Sequence, residues 1–360
     1  MQFVKPYLKD VPIYTPGKSL EEVKRQYGLE TIHKLASNEN MLGPSEKAIQ
    51  AIKDSMDDVL YYPDPGAVAL REKLAEFYHR HIDEIMVGNG SEELIDQLCR
   101  TFVEAGDEVL TSEYSFEKYF ISTRLMQAVP VHAPMKDFTY DLDAIFDLIS
   151  PRTKIIFIAN PNNPTGTLVQ KEKLEKFIAK VPENIVIVMD EAYFEYAILE
   201  DGCPDALDYN LPNLITMRTF SKSYGLAGLR IGYLIAPKEI VEQISHTRGV
   251  FNTNLFAQRA AIAGLDDQAH IKKTVEFNLR ERNRVAAELT KLGMQVYQSA
   301  TNFLFMETPI PGLELAEELL KRGIIVRPIA NYGLMNHVRI SIGLEHQNDK
   351  LLEDLKEILK

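Results

Sequence analysis

The sequence predicts an α/β protein with a large domain, built on a mostly parallel seven-stranded sheet, and a smaller α+β domain. In the first 250 residues, short apolar segments of strand length alternate with helical segments. This alternation is typical of a parallel sheet covered by helices on both faces. From about residue 255 the pattern changes to a long charged helical segment, followed by short strands and two helices. The 360 residues are enough for two domains.

The first 30 residues predict an arm, because Pro6, Pro12 and Pro16 interrupt any periodic pattern before a short charged helix that begins near Ser19. The large domain is expected to span residues 31–254. Its helical patterns cover residues 45–57, 66–80, 91–104 and 115–126. Its apolar runs predict strands near residues 85–87, 108–111, 129–132, 154–159, 184–189, 213–217 and 231–235.

The smaller domain is expected to span residues 255–360 and to begin with a long charged helix over 268–292. Strands are predicted at 294–297, 303–306, 324–326 and 337–342, and helices at 312–321 and 348–359. We expect the arm, residues 1–30, to contribute to this domain and to a dimer contact.

Composition excludes several classes of protein. A net charge of −12 argues against a general nucleic-acid binder, which needs a basic surface. Two cysteines are too few for a disulfide framework or a CxxC metal site, so we expect no metal. No apolar run reaches the roughly 20 residues that span a bilayer, and the first ten residues do not resemble a signal peptide. These features favour a cytoplasmic protein without a membrane partner.

The most informative motif is segment 219–230, TFSKSYGLAGLR, in which Lys222 lies between two serines and a small-residue loop ends at Arg230. A lysine amine can capture an aldehyde, and hydroxyls with an arginine fork can hold a phosphate dianion. Pyridoxal 5′-phosphate is both an aldehyde and a phosphate ester. The alternative, a surface loop with two cations, accounts less well for the hydroxyl and glycine residues.

Two further motifs follow predicted strands. Segment 155–166, IIFIANPNNPTG, ends in asparagines, which at the carboxyl end of a strand can point into a ligand cleft. Segment 185–193, IVIVMDEAY, ends on Asp190, and a carboxylate there is costly unless a partner such as a protonated pyridine nitrogen pairs with it. The alternative for the first segment is an ordinary turn. The alternative for the second is that Asp190 caps the N-terminus of a helix.

Segment 88–92, GNGSE, follows a short strand and opens a helix, so the free backbone N–H groups of the first helical turn would face an anion. A dinucleotide fingerprint requires glycine at position 93, which is Glu93, and is therefore rejected. A helix cap by Ser91 is compatible with anion binding because it uses the same helix terminus.

The sequence resembles the fold-type I pyridoxal-phosphate enzymes of the class I/II aminotransferase family. The resemblance lies in the order of its motif residues, which are Asn163, Asp190 with Tyr193, Lys222 and Arg230. The resemblance extends from residues 35–40, LASNEN, to residues 338–343, VRISIG. Segments 61–65, 88–92, 218–222 and 225–233 are similar to the branch of that family that acts on histidinol phosphate.

The resemblance implies a role for each matching residue. Lys222 would bind the cofactor aldehyde and act as a general base, Asp190 would pair with the ring nitrogen, and Asn163 and Tyr193 would contact the ring's phenolic oxygen. Tyr114 would stack on the ring, although a core tyrosine is the alternative. The remaining cofactor contacts implied are Gly90, Ser91, Glu92, Thr219, Ser221, Arg230 and, from the neighbouring subunit of a homodimer, Tyr62. The family usually has aspartate in place of Glu92.

The substrate contacts implied are Tyr14, Asn38, Arg327 and Arg339. Together they imply transamination of histidinol phosphate with 2-oxoglutarate, giving glutamate, in histidine biosynthesis. Arg327 as a surface charge is the alternative for that residue. An aromatic-amino-acid aminotransferase or a phosphothreonine decarboxylase would share nearly every motif. A non-catalytic pyridoxal-phosphate-binding regulator is a third alternative, and the presence of Lys222, Asp190 and Arg339 argues against it.

Overall fold

A computed structural model describes residues 3–13 and 20–360 and contains a seven-stranded and a four-stranded sheet with helices around them. The strands are β1 His33–Lys34, β2 Ile85–Gly88, β3 Glu108–Ser112, β4 Val129–Ala133, β5 Met135–Lys136, β6 Thr139–Tyr140, β7 Thr153–Ala159, β8 Val186–Asp190, β9 Leu214–Thr219, β10 Gly232–Ile235, β11 Gln295–Val296, β12 Phe303–Glu307, β13 Ile324–Ile325, β14 Arg327–Pro328 and β15 His337–Ser341.

The α-helices are α1 Leu20–Tyr27, α2 Glu46–Asp54, α3 Val68–Tyr78, α4 Ser91–Phe102, α5 Glu117–Leu125, α6 Leu142–Asp147, α7 Lys171–Ile178, α8 Phe194–Ala197, α9 Lys238–Ser245, α10 Leu255–Leu265, α11 Gln268–Lys291, α12 Gly312–Lys321 and α13 Glu345–Ile358. Short 3₁₀ helices cover Pro6–Asp10, Met56–Leu60, Ile82–Glu84, Ala206–Asp208, Ala227–Leu229 and Ala330–Tyr332.

The seven-stranded sheet has the order β2-β10-β9-β8-β7-β3-β4. Strands β9, β8, β7, β3 and β4 run parallel, β10 is antiparallel to both of its neighbours, and β2 therefore runs in the common direction. The predicted mostly parallel sheet of seven strands is confirmed. Strands such as β7 and β8 are almost entirely buried, because helices cover both faces and an uninterrupted apolar sequence can pack on each side.

Alternation along β2 separates two hydrophobic clusters. Met86 belongs to one cluster, whereas Ile85 and Val87 belong to the other, as expected for side chains that point to opposite faces of a sheet. The second cluster includes apolar residues of α3 and α10, and α10 contacts α2 and α3.

The four-stranded sheet has the order β11-β12-β15-β14 and its pairs are antiparallel. Its core also takes residues from α11, α12 and α13. The segment before residue 40 joins this unit, because β1 pairs in parallel with β13, and Val23 of α1 packs with Leu320 and Ile325. On the basis of that packing we propose that the arm contributes to the smaller unit.

Residues 255–265 pack differently from the expectation that the smaller domain begins at 255. The apolar face of α10 lies in the same cluster as strands of the large sheet. We therefore propose that the domain boundary lies after α10. Within the described ranges, no helix has both the length and the apolar composition needed to cross a membrane.

Candidate active site

The carboxyl ends of three neighbouring parallel strands bring the predicted site residues together. Asn163 follows β7, Asp190 is the last residue of β8, and Lys222 follows β9. Two X–Pro peptide bonds in the turn after β7, Asn160–Pro161 and Asn163–Pro164, are cis. Since ligands of open α/β sheets bind beyond the carboxyl ends of the strands, this edge is the expected position of a site.

A cavity of about 130 Å³ lies at this edge. Its lining residues are Ser91, Glu92, Phe116, Tyr119, Ala159, Pro161, Asn163, Asp190, Ala192, Tyr193, Thr219, Ser221, Lys222 and Arg230. Most of the predicted cofactor contacts are among them. A second cavity of about 200 Å³ adjoins it, because Phe116, Asn163, Tyr193 and Lys222 line both.

Lys222 lies between the two cavities, with its Nζ 3.4 Å from the backbone carbonyl oxygen of Ser37 and 5.6 Å from the ring centroid of Tyr193. Burial and the positive charge of Arg339 lower the pKa of Lys222 to about 8. A lysine with this pKa has a substantial neutral fraction near pH 8. Its amine is thus suited to attack an electrophile or to accept a proton.

Asp190 is 5% exposed and is held at both carboxylate oxygens. Its Oδ2 accepts a hydrogen bond from the Tyr119 hydroxyl at 2.6 Å, and its Oδ1 accepts one from the Ala192 N–H at 3.2 Å. Burial raises the pKa of Asp190, while these two hydrogen bonds and the charge of Lys222 oppose that rise. A cationic ligand group in the cavity would compensate the buried charge further.

Tyr193 is buried, and its hydroxyl accepts a hydrogen bond from Asn38 Nδ2 at 2.8 Å. Burial raises the pKa of Tyr193 to about 12, so it remains a neutral phenol at ordinary pH. Asn38, expected to bind substrate, also accepts from the Ser341 hydroxyl at 3.1 Å through its Oδ1. The structure thus gives Asn38 a part in holding Tyr193.

The predicted anion site lies at the other end of the first cavity, where α4 begins. Gly90 precedes α4, and a Cβ atom built there would lie 2.8 Å from Nη2 of Arg230. Any side chain at this position would therefore displace the guanidinium. Arg230 Nη1 lies 3.5 Å from the Ser221 hydroxyl. Thr219 Oγ1 accepts from the Ser221 N–H at 3.1 Å.

The Glu92 carboxylate lies 3.5 Å from Arg230 Nη2, and both side chains are about half exposed. An anion that binds here would compete with Glu92 for the guanidinium. Because the pair is solvated, its attraction is weak, on the order of 0–1 kcal/mol, and Glu92 can be displaced at little cost.

Two arginines face the second cavity. In the pairing of β14 with β15, Arg327 lies directly opposite Arg339, so both side chains project from the same face of the sheet. Arg339 donates a hydrogen bond to Asn163 Oδ1 and another, at 2.8 Å, to the Ala36 carbonyl oxygen. Two guanidinium groups at one cavity can together hold a doubly charged anion.

Phe116 is among the aromatic side chains that line the first cavity, whereas Tyr114, which we expected to stack on the ring, is not among its lining residues. The Tyr114 ring lies 5.6 Å from that of Phe138, and its backbone carbonyl accepts from Asn162 Nδ2 at 2.7 Å. Sequence reasoning also missed Tyr119, which contacts Asp190. The cluster of aromatic residues at 114–120 is the sequence feature that could have indicated Phe116 and Tyr119.

The structure describes one of the two remaining predicted contacts, Tyr62. Tyr62 is 81% exposed and its ring stacks on Phe251 at a centroid distance of 4.5 Å. Tyr14 lies outside the described residues. Pro12 and Ile13, which precede it, line a cavity of about 490 Å³ that Arg327 also lines.

The fold and the arrangement of this site agree with the aminotransferase family that the sequence resembles. The model of the family "Aminotransferase class I and II" matches residues 30–355, and the chain belongs to this family.

Its relatives point to one branch of the family. The chain is 45% identical to a histidinol-phosphate aminotransferase of Anaeromyxobacter sp., with 100% of both chains covered. It is 40% identical to a histidinol-phosphate aminotransferase 2 of Carboxydothermus hydrogenoformans, covering 99% of each. Among solved structures, it is similar to the histidinol-phosphate aminotransferase of Sinorhizobium meliloti in complex with pyridoxal-5′-phosphate. That similarity has a TM-score of 0.91 and 29% identity, and covers 100% of this chain and 98% of the other.

Proposed function

We propose that this protein catalyses the transamination of L-histidinol phosphate with 2-oxoglutarate, giving imidazole-acetol phosphate and L-glutamate, in histidine biosynthesis. One observation carries the proposal. A cavity with Lys222, Asp190 and Arg230 adjoins a second cavity with the opposed pair Arg327 and Arg339. The first has the groups that an aldehyde-phosphate cofactor requires, and the second has charges for an anionic substrate.

The residues of the first cavity fit pyridoxal 5′-phosphate. Arg230, Ser221 and the free N–H groups at the start of α4 would hold its phosphate, and the absence of a side chain at Gly90 leaves room for the Arg230 guanidinium beside them. Buried Asp190 would pair with its protonated ring nitrogen, and Asn163 and Tyr193 would contact its phenolic oxygen. We propose that Phe116 stacks on the ring. When bound, the cofactor supplies an aldehyde that captures amines and a ring that withdraws electrons from the donor's α-carbon.

Lys222 moves the protons of the reaction. With its amine partly neutral near pH 8, its Nζ can take the proton from the donor's α-carbon and later return one. Asp190, held in place by Tyr119 and Ala192, maintains a negative charge beside the ring nitrogen and so stabilises positive charge there. Tyr193 remains protonated and can donate a hydrogen bond to a developing phenolate.

Arg327 and Arg339 would bind the phosphate of histidinol phosphate in one half-reaction and a carboxylate of glutamate or 2-oxoglutarate in the other. Arginine forks suit both groups, because each presents coplanar oxygens to paired N–H donors. Asn163 already accepts from Arg339, so this guanidinium is oriented before substrate arrives.

We propose further that the protein is a homodimer in which Tyr62 completes the cofactor site of the neighbouring subunit, and that it works in the cytoplasm. Exposed apolar side chains around Tyr62 support the first point. The low cysteine content, with Cys99 and Cys203 both free, is compatible with the second.

Steady-state rates test the function. Histidinol phosphate, phenylalanine and phosphothreonine would each be supplied with 2-oxoglutarate, and glutamate formation would be measured, with carbon dioxide release measured for phosphothreonine. We expect the highest kcat/KM for histidinol phosphate, and no turnover in a Lys222→Ala control. Preference for phenylalanine would indicate an aromatic aminotransferase, carbon dioxide release a decarboxylase, and no turnover with any donor a regulator.

A further inference from the structure

Tyr119 is a buried neighbour of Asp190 on the side of β7, not on the side of β9, the strand that precedes Lys222. It projects from α5, is 1% exposed, and donates to Asp190 Oδ2 at 2.6 Å. Its ring stacks on Phe157 of β7 with a centroid distance of 4.5 Å and an interplanar angle of 6°. The stack fixes the ring, and the fixed ring aims the hydroxyl at the carboxylate.

The direction of this hydrogen bond is set by burial. Burial and the adjacent Asp190 hold the pKa of the Tyr119 phenol well above its ordinary value, so the phenol keeps its proton throughout the usable pH range. The proton therefore points from Tyr119 to Asp190. The Ala192 N–H supplies the second hydrogen bond, to Oδ1, and fixes the other end of the carboxylate.

We propose that Tyr119 is a positioning residue that keeps Asp190 ionised and holds its carboxylate toward the cavity. The proposal rests on the proposed function, in which Asp190 pairs with the cofactor's ring nitrogen. Burial alone would favour the neutral carboxylic acid. A neutral Asp190 would leave the ring nitrogen without a counter-charge, so the phenol acts on the cofactor through the carboxylate.

A neighbouring tyrosine provides a matched control. Tyr140 is also buried, but its hydroxyl lies 3.1 Å from Thr111 Oγ1 and accepts from the Ala159 N–H at 3.3 Å. Tyr119→Phe and Tyr140→Phe each delete one buried phenolic oxygen and keep the ring. Only the first removes a donor to Asp190.

The first test titrates Asp190 in the cofactor-free full-length protein. The protonated carboxyl is followed by infrared difference spectroscopy, and its band is assigned by its absence in Asp190→Asn. Loss of a hydrogen bond to a charged group should raise the midpoint by about one to two pH units in Tyr119→Phe. Tyr140→Phe should titrate as wild type. An unchanged midpoint in Tyr119→Phe, or equal shifts in both variants, would overturn the proposal.

A second variant tests the same proposal if Tyr119→Phe folds poorly. A fluorinated tyrosine at position 119 is a stronger donor and should lower the Asp190 midpoint. A midpoint that rises or does not move would contradict the proposal.

The third test uses the protein loaded with ¹⁵N-labelled pyridoxal phosphate. In Tyr119→Phe the ring-nitrogen resonance should move toward that of unprotonated pyridine, because a more basic Asp190 retains the shared proton. An unmoved resonance would count against the proposal. Failure of wild type to bind the cofactor would instead refute the proposed function. The infrared titration would still test whether Tyr119 keeps Asp190 ionised.

Discussion

At the scale of single residues, the charge balance around Lys222 determines when its amine is reactive. Burial and Arg339 lower its pKa, whereas Glu39 acts in the opposite direction. Arg339 is therefore assigned two effects. It presents its guanidinium to the substrate cavity, and its charge favours the neutral form of the lysine.

Removing the charge of Arg339 should raise the pKa of Lys222. In cofactor-free wild type, the labelling rate of Lys222 by an amine-specific acylating reagent should be half-maximal near pH 8. In Arg339→Gln that midpoint should move to higher pH, because the ammonium form loses a repulsive neighbour. Mass spectrometry of the labelled peptide measures the midpoint.

Arg327→Gln is the matched control, because it also removes one guanidinium from the second cavity, whereas Arg339 is the charge that most strongly lowers the pKa of Lys222. Its midpoint should stay closer to wild type than that of Arg339→Gln. A midpoint that is unchanged or lower in Arg339→Gln would contradict the assigned effect.

The sequence predicted the polar residues at strand ends better than the aromatic residues around them. Asp190 ends β8, Asn163 and Lys222 lie in the turns that follow β7 and β9, and strand order then brings the three residues together. Tyr114 and Phe116 are two residues apart in a turn, and only the path of the backbone decides which ring faces the cavity. Tyr119 meets Asp190 across 71 positions of sequence, a contact that no local pattern encodes.

At the scale of elements, the antiparallel pairing of β14 with β15 places the two arginines of the proposed substrate site side by side. A slip of one residue would send one of the two arginines to the opposite face of the sheet, since side chains alternate along a strand. The register that places Arg327 opposite Arg339 is thus what makes a two-arginine site.

Arg327→Ala should lower kcat/KM for histidinol phosphate by about 10- to 100-fold, the value of one charge-assisted hydrogen bond. The loss should be smaller for phenylalanine, whose single carboxylate can be held by Arg339. The absorption spectrum of the bound cofactor should not change, because Arg327 lines the second cavity and not the first. Equal losses for both donors would remove Arg327 from phosphate recognition.

A buried ion pair ties the ends of β8 and β9 together. Arg218 donates from Nε and Nη2 to Glu191 Oε2 at 2.9 and 2.7 Å, and its guanidinium lies 3.6 Å from the ring centroid of Phe194. Glu191 follows Asp190 and Arg218 precedes the Lys222 loop. The pair therefore fixes the two catalytic segments relative to each other.

Arg218→Met should reduce the free energy of unfolding by about 3–5 kcal/mol, because Glu191 would remain buried without its partner. The double variant Arg218→Met/Glu191→Gln should recover part of that loss. Urea denaturation measures both. Lys321→Met, which breaks an exposed pair with Glu318, serves as control and should cost no more than about 0.5 kcal/mol. If Arg218→Met lowers the free energy of unfolding no more than Lys321→Met does, the buried pair does not stabilise the fold.

At the scale of the whole molecule, the proposed boundary between the two units differs from the one that the sequence predicts. The charged pattern of α11 marks the change from one sheet to the next, whereas α10 is an alanine-rich helix with no sequence sign of its neighbours. Its small side chains allow close approach to α2 and α3, so tertiary packing decides to which unit it belongs.

One part of the surface is unusually apolar for an isolated chain. Val59, Leu60, Tyr61 and Tyr62 are 68%, 78%, 70% and 81% exposed, and the stack of Tyr62 on Phe251 extends the patch. Contiguous exposed apolar groups of this kind mark association surfaces. We propose that a second copy of the chain covers this patch and that Tyr62 thereby reaches the other molecule's site.

Subunit mixing tests that arrangement. Tyr62→Phe subunits retain Lys222, and Lys222→Ala subunits retain Tyr62. If each site takes Tyr62 from the neighbouring subunit, a mixed dimer contains one site with both residues and one with neither. Activity of the mixture should then exceed the sum of the separate variants and reach up to half of wild type per mixed dimer. With subunit exchange verified by mass, activity no greater than that sum would place Tyr62 outside the neighbouring site.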